Sequence, residues 1–486
     1  MKNIFNDLIK ELDYERFYGK SNPTLTGITH DSRNVQAGDL FVAVEGRSFD
    51  GHNYVKNAVE AGAATVIGEK SYDSVESIAV PYIKVNDSRQ ALSWISHEFY
   101  DKPTSELFTV GVTGTNGKTT TAHLIKQALG SNQTDTISTI TNRDVAGNPE
   151  PVTTPEAPLI HKVARSARSE GKKNFVLEVS SHGLAMRRVS AVDFDVGVFT
   201  NITRDHLDYH ETMEEYKSKK GLLFSYLTPD GTAVLNGDQE FSEELENSTA
   251  AEPVKYGIGN NSDVVANNVR INTSGISFEV KSPWGNSELN LSLFGEYNVY
   301  NSLAAITVGL VKELKLSEIM EKLAGAGPLS GRMEKLELSN GADVYVDFAH
   351  NSGALEEVLS ELKQLYDTVS VVFGCGGESD RGKRPEMGRV AEEYADRIYI
   401  TDDNPKKEDR REILNEIVSG IQNRTRCSTI PDRKKAIESA VDKLNSGESL
   451  LVAGKGHERY QVVEDEWIEY NDMEYLQGLC RKKGLI

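Results

Sequence analysis

Residues 108–129, FTVGVTGTNGKTTTAHLIKQAL, constrain the fold of this chain more than any other stretch. The apolar, β-branched start reads as a buried strand, the part after Gly117 has helical spacing, and a glycine-bearing turn joins them. Strand, turn and helix in that order form the setting of a phosphate-binding loop. The turn's N–H groups and the helix N-terminus point at an anion, and a lysine supplies charge to the outer phosphates. The common spacing is glycine, four residues, then Gly-Lys-Ser/Thr. Gly117, Lys118 and Thr119 fit it, but Val112 stands where the first glycine belongs, and the nearest glycines are Gly111 and Gly114. On context, the turn is expected to bind a nucleoside triphosphate, with Thr119 placed to reach Mg²⁺.

Further apolar strand-like runs alternate with helical patterns, which predicts an α/β protein. At 486 residues the chain has room for about three domains. Residues 1–104 hold short strands (DLFVAVEG, ATVIGE, YIKV) between helices and end at the turn-forming YDKPTSE. Residues 105–330 carry NFVLEVSS and VGVFTNI, as expected of a doubly wound sheet. GTAVLNGD and GISFEV read as its later, partly antiparallel strands. Residues 331–486 repeat strand and helix four times (DVYVDFAH, SVVFGCGG, RIYITDD, SLLVAGKG), predicting a separate Rossmann-like sheet.

A net charge of −20 argues against a broad nucleic-acid surface or an anionic membrane, since phosphate neutralisation needs clustered Lys and Arg. Cys375, Cys427 and Cys480 lie far apart without a CxxC, so neither a disulfide framework nor a zinc site is expected. The start, MKNIFNDLIKELDYERF, reads as an amphipathic helix rather than a signal peptide. No apolar run approaches the ~18 residues of a membrane span, so a cytoplasmic protein without membrane insertion is expected.

Polar clusters end two central strands. EVSSHG places Glu178 and His182 after one, and TNITRDHLDYH packs Arg204, Asp205, His206, Asp208 and His210 after another. Open α/β sheets bind ligands at their strand carboxyl ends. Glu178 and His206 would meet the phosphates through a hard divalent cation, Mg²⁺, although Mg²⁺ prefers oxygen. A lone histidine more often satisfies strand-end backbone groups, whereas the density of this cluster favours a site.

The segments GTNGKTT, EVSSHG, FTNITRDHLDYH, GEYNVYNSLAA, GRME, VDFAH and GKGHE occur in one order along the chain. Together they resemble the Mur ligases of peptidoglycan synthesis, whose phosphate loop has the spacing seen here. Folylpolyglutamate synthases share the core but not the N-terminal block. That block, THDSRNVQAGDLFVAVEGRSFDGH, together with YKSKKGLLF and GKGHERYQ, is similar to the type that adds the third stem-peptide residue. The resemblance implies an N-terminal uridine-nucleotide domain, a central ATPase-like domain and a C-terminal amino-acid-binding domain. It also implies ATP-dependent amide formation. ATP phosphorylates the D-Glu γ-carboxylate of UDP-N-acetylmuramoyl-L-alanyl-D-glutamate, and the amine of a free diamino acid attacks the acyl phosphate.

The same resemblance implies residue roles. Gly114, Thr115, Asn116, Gly117, Lys118, Thr119 and Thr120 would cradle the phosphates, with Thr119 and Glu178 at Mg²⁺ and His206 at a second Mg²⁺. Asn298 and Asn301 would hold the adenine side, their alternative being polar helix caps. Arg332 and Asp347 would complete the ATP site on domain closure. Lys220, in the pattern Tyr-x-x-x-Lys-x-x-Leu-Phe, would be carbamylated and ligate Mg²⁺. Ser32 would face the uridine nucleotide, and Thr153, Thr154, Ser180 and Arg188 the muramoyl dipeptide. Ser379, Asn404, Lys406, Gly454 and Glu458 would line the amino-acid site of a monomer. Val152, Met186 and AHNSGALEEVL depart from the family pattern. So do Ser379 and Lys406, each in place of an arginine that grips a distal carboxylate. Two alternatives are a related ligase acting on another carboxylate and a nucleotide-binding paralogue without catalysis. The second predicts losses among Lys118, Glu178, His206, Asn298, Asn301, Arg332 and Asp347, and all seven are present.

Overall fold

The structure is a computed structural model that describes residues 5–19, 21–46, 49–74, 78–141, 152–259 and 261–486. Among the described residues, three large sheets follow one another along the chain, as the three-domain reading expects, and a fourth, two-stranded sheet pairs Tyr460–Val463 with Glu466–Glu469.

The N-terminal sheet runs in the order Arg16–Tyr18, Tyr82–Lys84, Thr65–Gly68, Leu40–Val42, Ile28–Thr29. Only the first strand is antiparallel to its neighbour. Strand alternation divides its core between two faces. Leu40 and Val42 pack with Leu92, Ile95 and Phe99 of the helix Ser88–Phe99, while Phe41 packs with Val55 and Ala58 of the helix Val55–Glu60. The N-terminal helix predicted from the sequence is short: among the described residues it covers Phe5–Leu8. Glu15 N donates to Lys84 O at 2.8 Å as the chain enters the strand Arg16–Tyr18, so sheet pairing overrides local helix preference.

Among the described residues, the central sheet has nine strands. Seven are parallel, in the order Val264–Asn272, Glu252–Gly257, Leu227–Asn236, Phe194–Phe199, Phe108–Thr113, Asn174–Glu178, Thr134–Ile137. Gly275–Ser282 and Gly285–Leu291 continue beyond Val264–Asn272 in antiparallel pairing. GTAVLNGD is therefore parallel to both neighbours, whereas GISFEV is antiparallel, as expected. Helices Lys118–Leu129, Glu296–Val311 and Leu316–Ala324 cover one face, and Ala157–Ser169 and Met213–Ser225 the other.

The C-terminal sheet runs Glu334–Glu337, Asp343–Asp347, Ser449–Ala453, Val369–Phe373, Arg397–Ile400, Cys427–Thr429. The first pair is antiparallel and the other pairs are parallel. The four anticipated strand–helix steps are present; the short, arginine-flanked strand Cys427–Thr429 carries no apolar run and escaped the sequence reading. Among the described residues, no helix is long and apolar enough to cross a membrane.

Candidate active site

The carboxyl ends of the central and C-terminal strands face each other across a cavity of ≈ 730 Å³. The turn expected to form the phosphate loop lies on its floor. Val112 is a fully buried strand residue, so the strand continues through Thr113 and the turn starts at Gly114. Thr115 N donates to Asn201 O at 2.9 Å and Asn116 N to Asn201 Oδ1 at 2.9 Å, so the end of the neighbouring strand shapes the loop. Gly117, at φ +81°, caps the helix Lys118–Leu129, and a Cβ there would sit 2.6 Å from Asn301 Oδ1. Glycine at 117 meets both demands.

Two lysines converge on this turn. Lys118 Nζ donates to Gly114 O at 3.0 Å and to Thr115 O at 2.7 Å. Lys220 Nζ donates to Gly114 O at 2.5 Å and lies 4.5 Å from the centre of the Tyr216 ring. Burial pushes both amines below the ordinary lysine range, Lys220 furthest, where the charge of Lys118 adds to the effect. Tyr216 Oη, 3.1 Å from Thr115 Oγ1, ties the lysine-bearing helix to the loop.

Asn298 and Asn301 line the cavity, and their amides form a chain. Thr121 Oγ1 donates to Asn301 Oδ1 at 3.0 Å, Asn301 Nδ2 to Asn298 Oδ1 at 2.9 Å, and Asn298 Nδ2 to Phe294 O at 2.6 Å. Both side chains thus brace the phosphate-loop helix from the helix Glu296–Val311.

Glu178, fully buried, accepts from Thr139 N and Thr139 Oγ1, each at 3.1 Å. Burial raises its carboxyl above the ordinary range, against the pull of Lys118 and Arg332. With its one proton on Glu178, Thr139 Oγ1 can accept from Thr153 Oγ1 3.1 Å away, which links the carboxylate to one residue expected at the dipeptide. His206 is an N-cap with φ +55°, and its partly enclosed side chain lines the cavity. Burial, outweighing the attraction of Asp205, pushes its imidazole down to about 3, so the ring is neutral at pH 7 and has a lone pair for a ligand.

The C-terminal residues reach over this floor. Arg332 Nη2 donates to Thr119 Oγ1 at 3.2 Å, its guanidinium lies 4.7 Å from the Phe348 ring centre, and its buried Nε has no partner among the described residues. Asp347 accepts from Met333 N at 2.8 Å and Ala349 N at 2.7 Å, bracing the segment that carries Arg332. Asn351 Nδ2 donates to Asn116 Oδ1 at 3.1 Å and to Asp205 Oδ2 at 3.0 Å, while its Oδ1 caps the helix Ser352–Leu365 through Ala354 N at 2.8 Å. Glu361 Oε1 accepts from Glu296 N at 2.6 Å, so a C-terminal carboxylate caps a central helix. The two domains are therefore closed on each other.

Other expected site residues lie around this centre. Thr154 Oγ1 donates to Glu178 O at 2.9 Å and lies 3.1 Å from Ser180 Oγ, which caps the helix Ser181–Ala185. Arg188 donates to Thr154 O at 2.7 Å and to Glu156 Oε1 at 2.8 Å, so a substrate carboxylate would compete with Glu156. Ser32 opens a short 3₁₀ helix in the N-terminal sheet and does not line the cavity. Among the amino-acid residues, Glu458 lines it, and Asn404 Nδ2 donates to Glu458 Oε2 at 3.0 Å. Gly377 N donates to Asn404 O at 2.9 Å, which brings the Ser379 loop against the Asn404–Lys406 turn. Ser379 Oγ donates to Gly376 O at 2.8 Å, Lys406 adopts φ +52°, and Gly454 N donates to Asp347 O at 3.1 Å. The sequence reading missed Thr139 and Asn351 and gave Asp205 no role.

Removing the Asn351 side chain should both uncap its helix and unlatch the domains. Asn351→Ala is expected to cost about 1 kcal/mol of stability in the C-terminal domain. It should also enlarge the radius of gyration by small-angle scattering. An unchanged radius would show that the latch lies elsewhere.

Three family profiles match this chain: "Mur ligase family, catalytic domain" over residues 24–100, "Mur ligase middle domain" over 112–309, and "Mur ligase, glutamate ligase domain" over 331–456. A UDP-N-acetylmuramoyl-L-alanyl-D-glutamate--2,6-diaminopimelate ligase of Geobacillus thermodenitrificans (strain NG80-2) is 40% identical over 473 residues, 95% of this chain and 96% of that protein. A solved structure of a ligase with the same name is 28% identical, covers 100% of both chains and has a TM-score of 0.69. The MurF ligase of Thermotoga maritima in complex with ADP, 20% identical, shares the fold with a TM-score of 0.64 over 94% of this chain and 97% of that one. With three such profiles in succession along the chain and a relative 40% identical across 95% of this chain, the chain belongs to the Mur ligase family.

Proposed function

We propose that this chain is an ATP-dependent ligase that adds a diamino acid, as third residue, to UDP-N-acetylmuramoyl-L-alanyl-D-glutamate in peptidoglycan precursor synthesis. The observation that carries the reading is the convergence on one cavity of a phosphate loop, the cations Lys118 and Arg332, and Glu458 on the C-terminal side. The relative's name specifies 2,6-diaminopimelate, which makes that amino acid the first candidate. Domain boundaries near residues 104 and 330, a cytoplasmic location and a monomeric state belong to the same proposal.

The chemistry joins a carboxylate to a phosphoryl group, and two anions must approach each other. Lys118 would hold the β- and γ-phosphates, and Arg332, with its unpartnered Nε, would face charge developing on the transferred group. The γ-carboxylate oxygen attacks the γ-phosphorus and ADP leaves, giving an acyl phosphate. The amine then attacks the carbonyl carbon, and phosphate departs with the former carboxylate oxygen. The closed domains would keep water from the acyl phosphate. Asn298 and Asn301 would act here chiefly by bracing the phosphate-loop helix, beside their expected adenine contact. Ser32 would meet the uridine nucleotide, and Thr153, Thr154, Ser180 and Arg188 the dipeptide.

Among the described residues, no three His, Cys, Asp or Glu side chains gather as a metal site. Mg²⁺ takes few protein ligands and completes its shell with phosphate and water. The buried Glu178 carboxylate, whose charge burial opposes, and Thr119 Oγ1 would hold one ion, and the neutral His206, with Lys220 as a carbamate, a second. Bound Mg²⁺ would supply charge neutralisation at the phosphates.

The proposal is tested by supplying ATP, Mg²⁺ and the UDP-muramoyl dipeptide and screening amino acids for phosphate release and for a product of matching mass. Activity that ignores the dipeptide would overturn it.

Selectivity follows from Ser379 and Lys406. A lysine is a point charge and cannot reproduce the planar fork of arginine, and charge-assisted hydrogen bonds are worth roughly 1.5–3 kcal/mol each. Discrimination for diaminopimelate over L-lysine should therefore be weaker than a two-arginine site would give. Changing both residues to arginine should raise the ratio of kcat/KM values by about tenfold or more. If the parent already excludes lysine and the double variant is unchanged, another residue reads the distal carboxylate.

A further inference from the structure

Lys455 is fully buried and does not line the cavity, yet its ammonium group joins the two C-terminal residues expected to meet the incoming amino acid. It donates to Asn404 Oδ1 at 2.8 Å and to Glu458 Oε2 at 2.7 Å, and lies 5.5 Å from the Tyr460 ring centre. Asn404 Oδ1 also accepts from Val462 N at 3.0 Å, which fixes the amide orientation and aims Nδ2 at the same Glu458 Oε2. One carboxylate oxygen thus takes two donors. The other, Oε1, has no hydrogen bond among the described residues, and Glu458 lines the cavity with 16% of its side chain exposed.

The turn that creates this geometry is tightly specified. Glu458 N donates to Lys455 O at 2.9 Å, setting the two side chains three residues apart on one turn. Gly456 adopts φ +49°, and a Cβ there would lie 2.6 Å from Gly331 O. The amino-acid side is thereby packed against the segment that carries Arg332.

We propose that Lys455 is a positioning residue for the amino-acid substrate: it holds Glu458 Oε2 and Asn404 so that Glu458 Oε1 faces the cavity as acceptor for an ammonium group of the incoming diamino acid. This rests on the amino-acid role of Glu458 proposed above. A cation is needed there rather than a neutral donor. Burial, with the nearby Asp403 carboxylate, favours the protonated form of Glu458, which would present a donor to an ammonium group, and Lys455, aided by the Asn404 amide, opposes that protonation.

The test is steady-state kinetics on the full-length enzyme with Lys455→Met, Glu458→Gln and the double variant. Lys455→Met should raise KM for the amino acid by about tenfold or more and leave KM for ATP within about twofold. It should also move the acid limb of kcat/KM for the amino acid to higher pH, which a loss of packing alone would not do. In the Glu458→Gln background the same change should add less than about twofold, because the group it acts through is gone. Multiplicative effects in the double variant, or an unmoved KM and pH limb in Lys455→Met, would overturn the proposal. Should Lys455→Met fail to fold, Lys455→Gln keeps a donor without the charge: its acid limb should still move, and an unmoved limb overturns the role. An active Glu458→Gln enzyme with an unaltered amino-acid KM would instead remove the amino-acid role of Glu458.

Discussion

Lys118→Ala should lower kcat for ligation by at least about 100-fold, a barrier increase of about 2.7 kcal/mol, while the protein stays folded. Lys118 stands at the first turn of the phosphate-loop helix, and burial already opposes its charge. Such a cation is stabilised most when a polyanion arrives, so its contribution grows as charge builds on the transferred phosphoryl group. Its bonds to Gly114 O and Thr115 O show that it reaches the loop interior, and alanine leaves both carbonyls without that donor. Arg332 cannot replace it, because it approaches from the C-terminal side through Thr119. Single-turnover measurement of acyl transfer checks the result. Retention of more than about a tenth of kcat would mean that the loop does not hold the reacting phosphates.

Lys220→Ala should be nearly inactive, and short carboxylic acids or bicarbonate should restore part of the activity. Lys220 is 1% exposed, and its amine is pushed well below the ordinary lysine range by burial and by the charge of Lys118. A neutral amine is the form that adds carbon dioxide, and the product would be an anion beside Lys118. Protonation of the amine is disfavoured in this site, whereas a carbamate there would neutralise a neighbouring cation. A small carboxylate entering the space left by the lysine should replace that charge. An unmodified lysine in a high-resolution map of the active enzyme with its metal would contradict this role.

Local patterns made much of this site legible in the sequence. The loop around Gly117 and Lys118 was visible because strand, turn and helix are contiguous, and Glu178 and His206 because they end apolar strands. Arg332, Asp347 and Lys220 carry no local signature and were placed by family resemblance. The latch was not legible. Asn351 meets Asn116 across 235 residues and Asp205 across 146, and no periodicity encodes such contacts. In the sequence, Asn351 read only as a departure from the family loop; in the structure, its one amide caps a helix and bridges two domains. Thr139 escaped for a similar reason: its partner Glu178 lies 39 residues on, at the end of the neighbouring strand. The parallel setting of GTAVLNGD was hidden because one short apolar run looks alike in either pairing.

On this mechanism the cavity activates the D-Glu γ-carboxylate as an acyl phosphate. The most direct test labels both oxygens of that carboxylate with a heavy isotope and follows the label through ligation by mass spectrometry. One labelled oxygen is expected in each released phosphate and none in ADP, with release requiring both the dipeptide and the amino acid. Unlabelled phosphate, or label appearing in AMP, would contradict it.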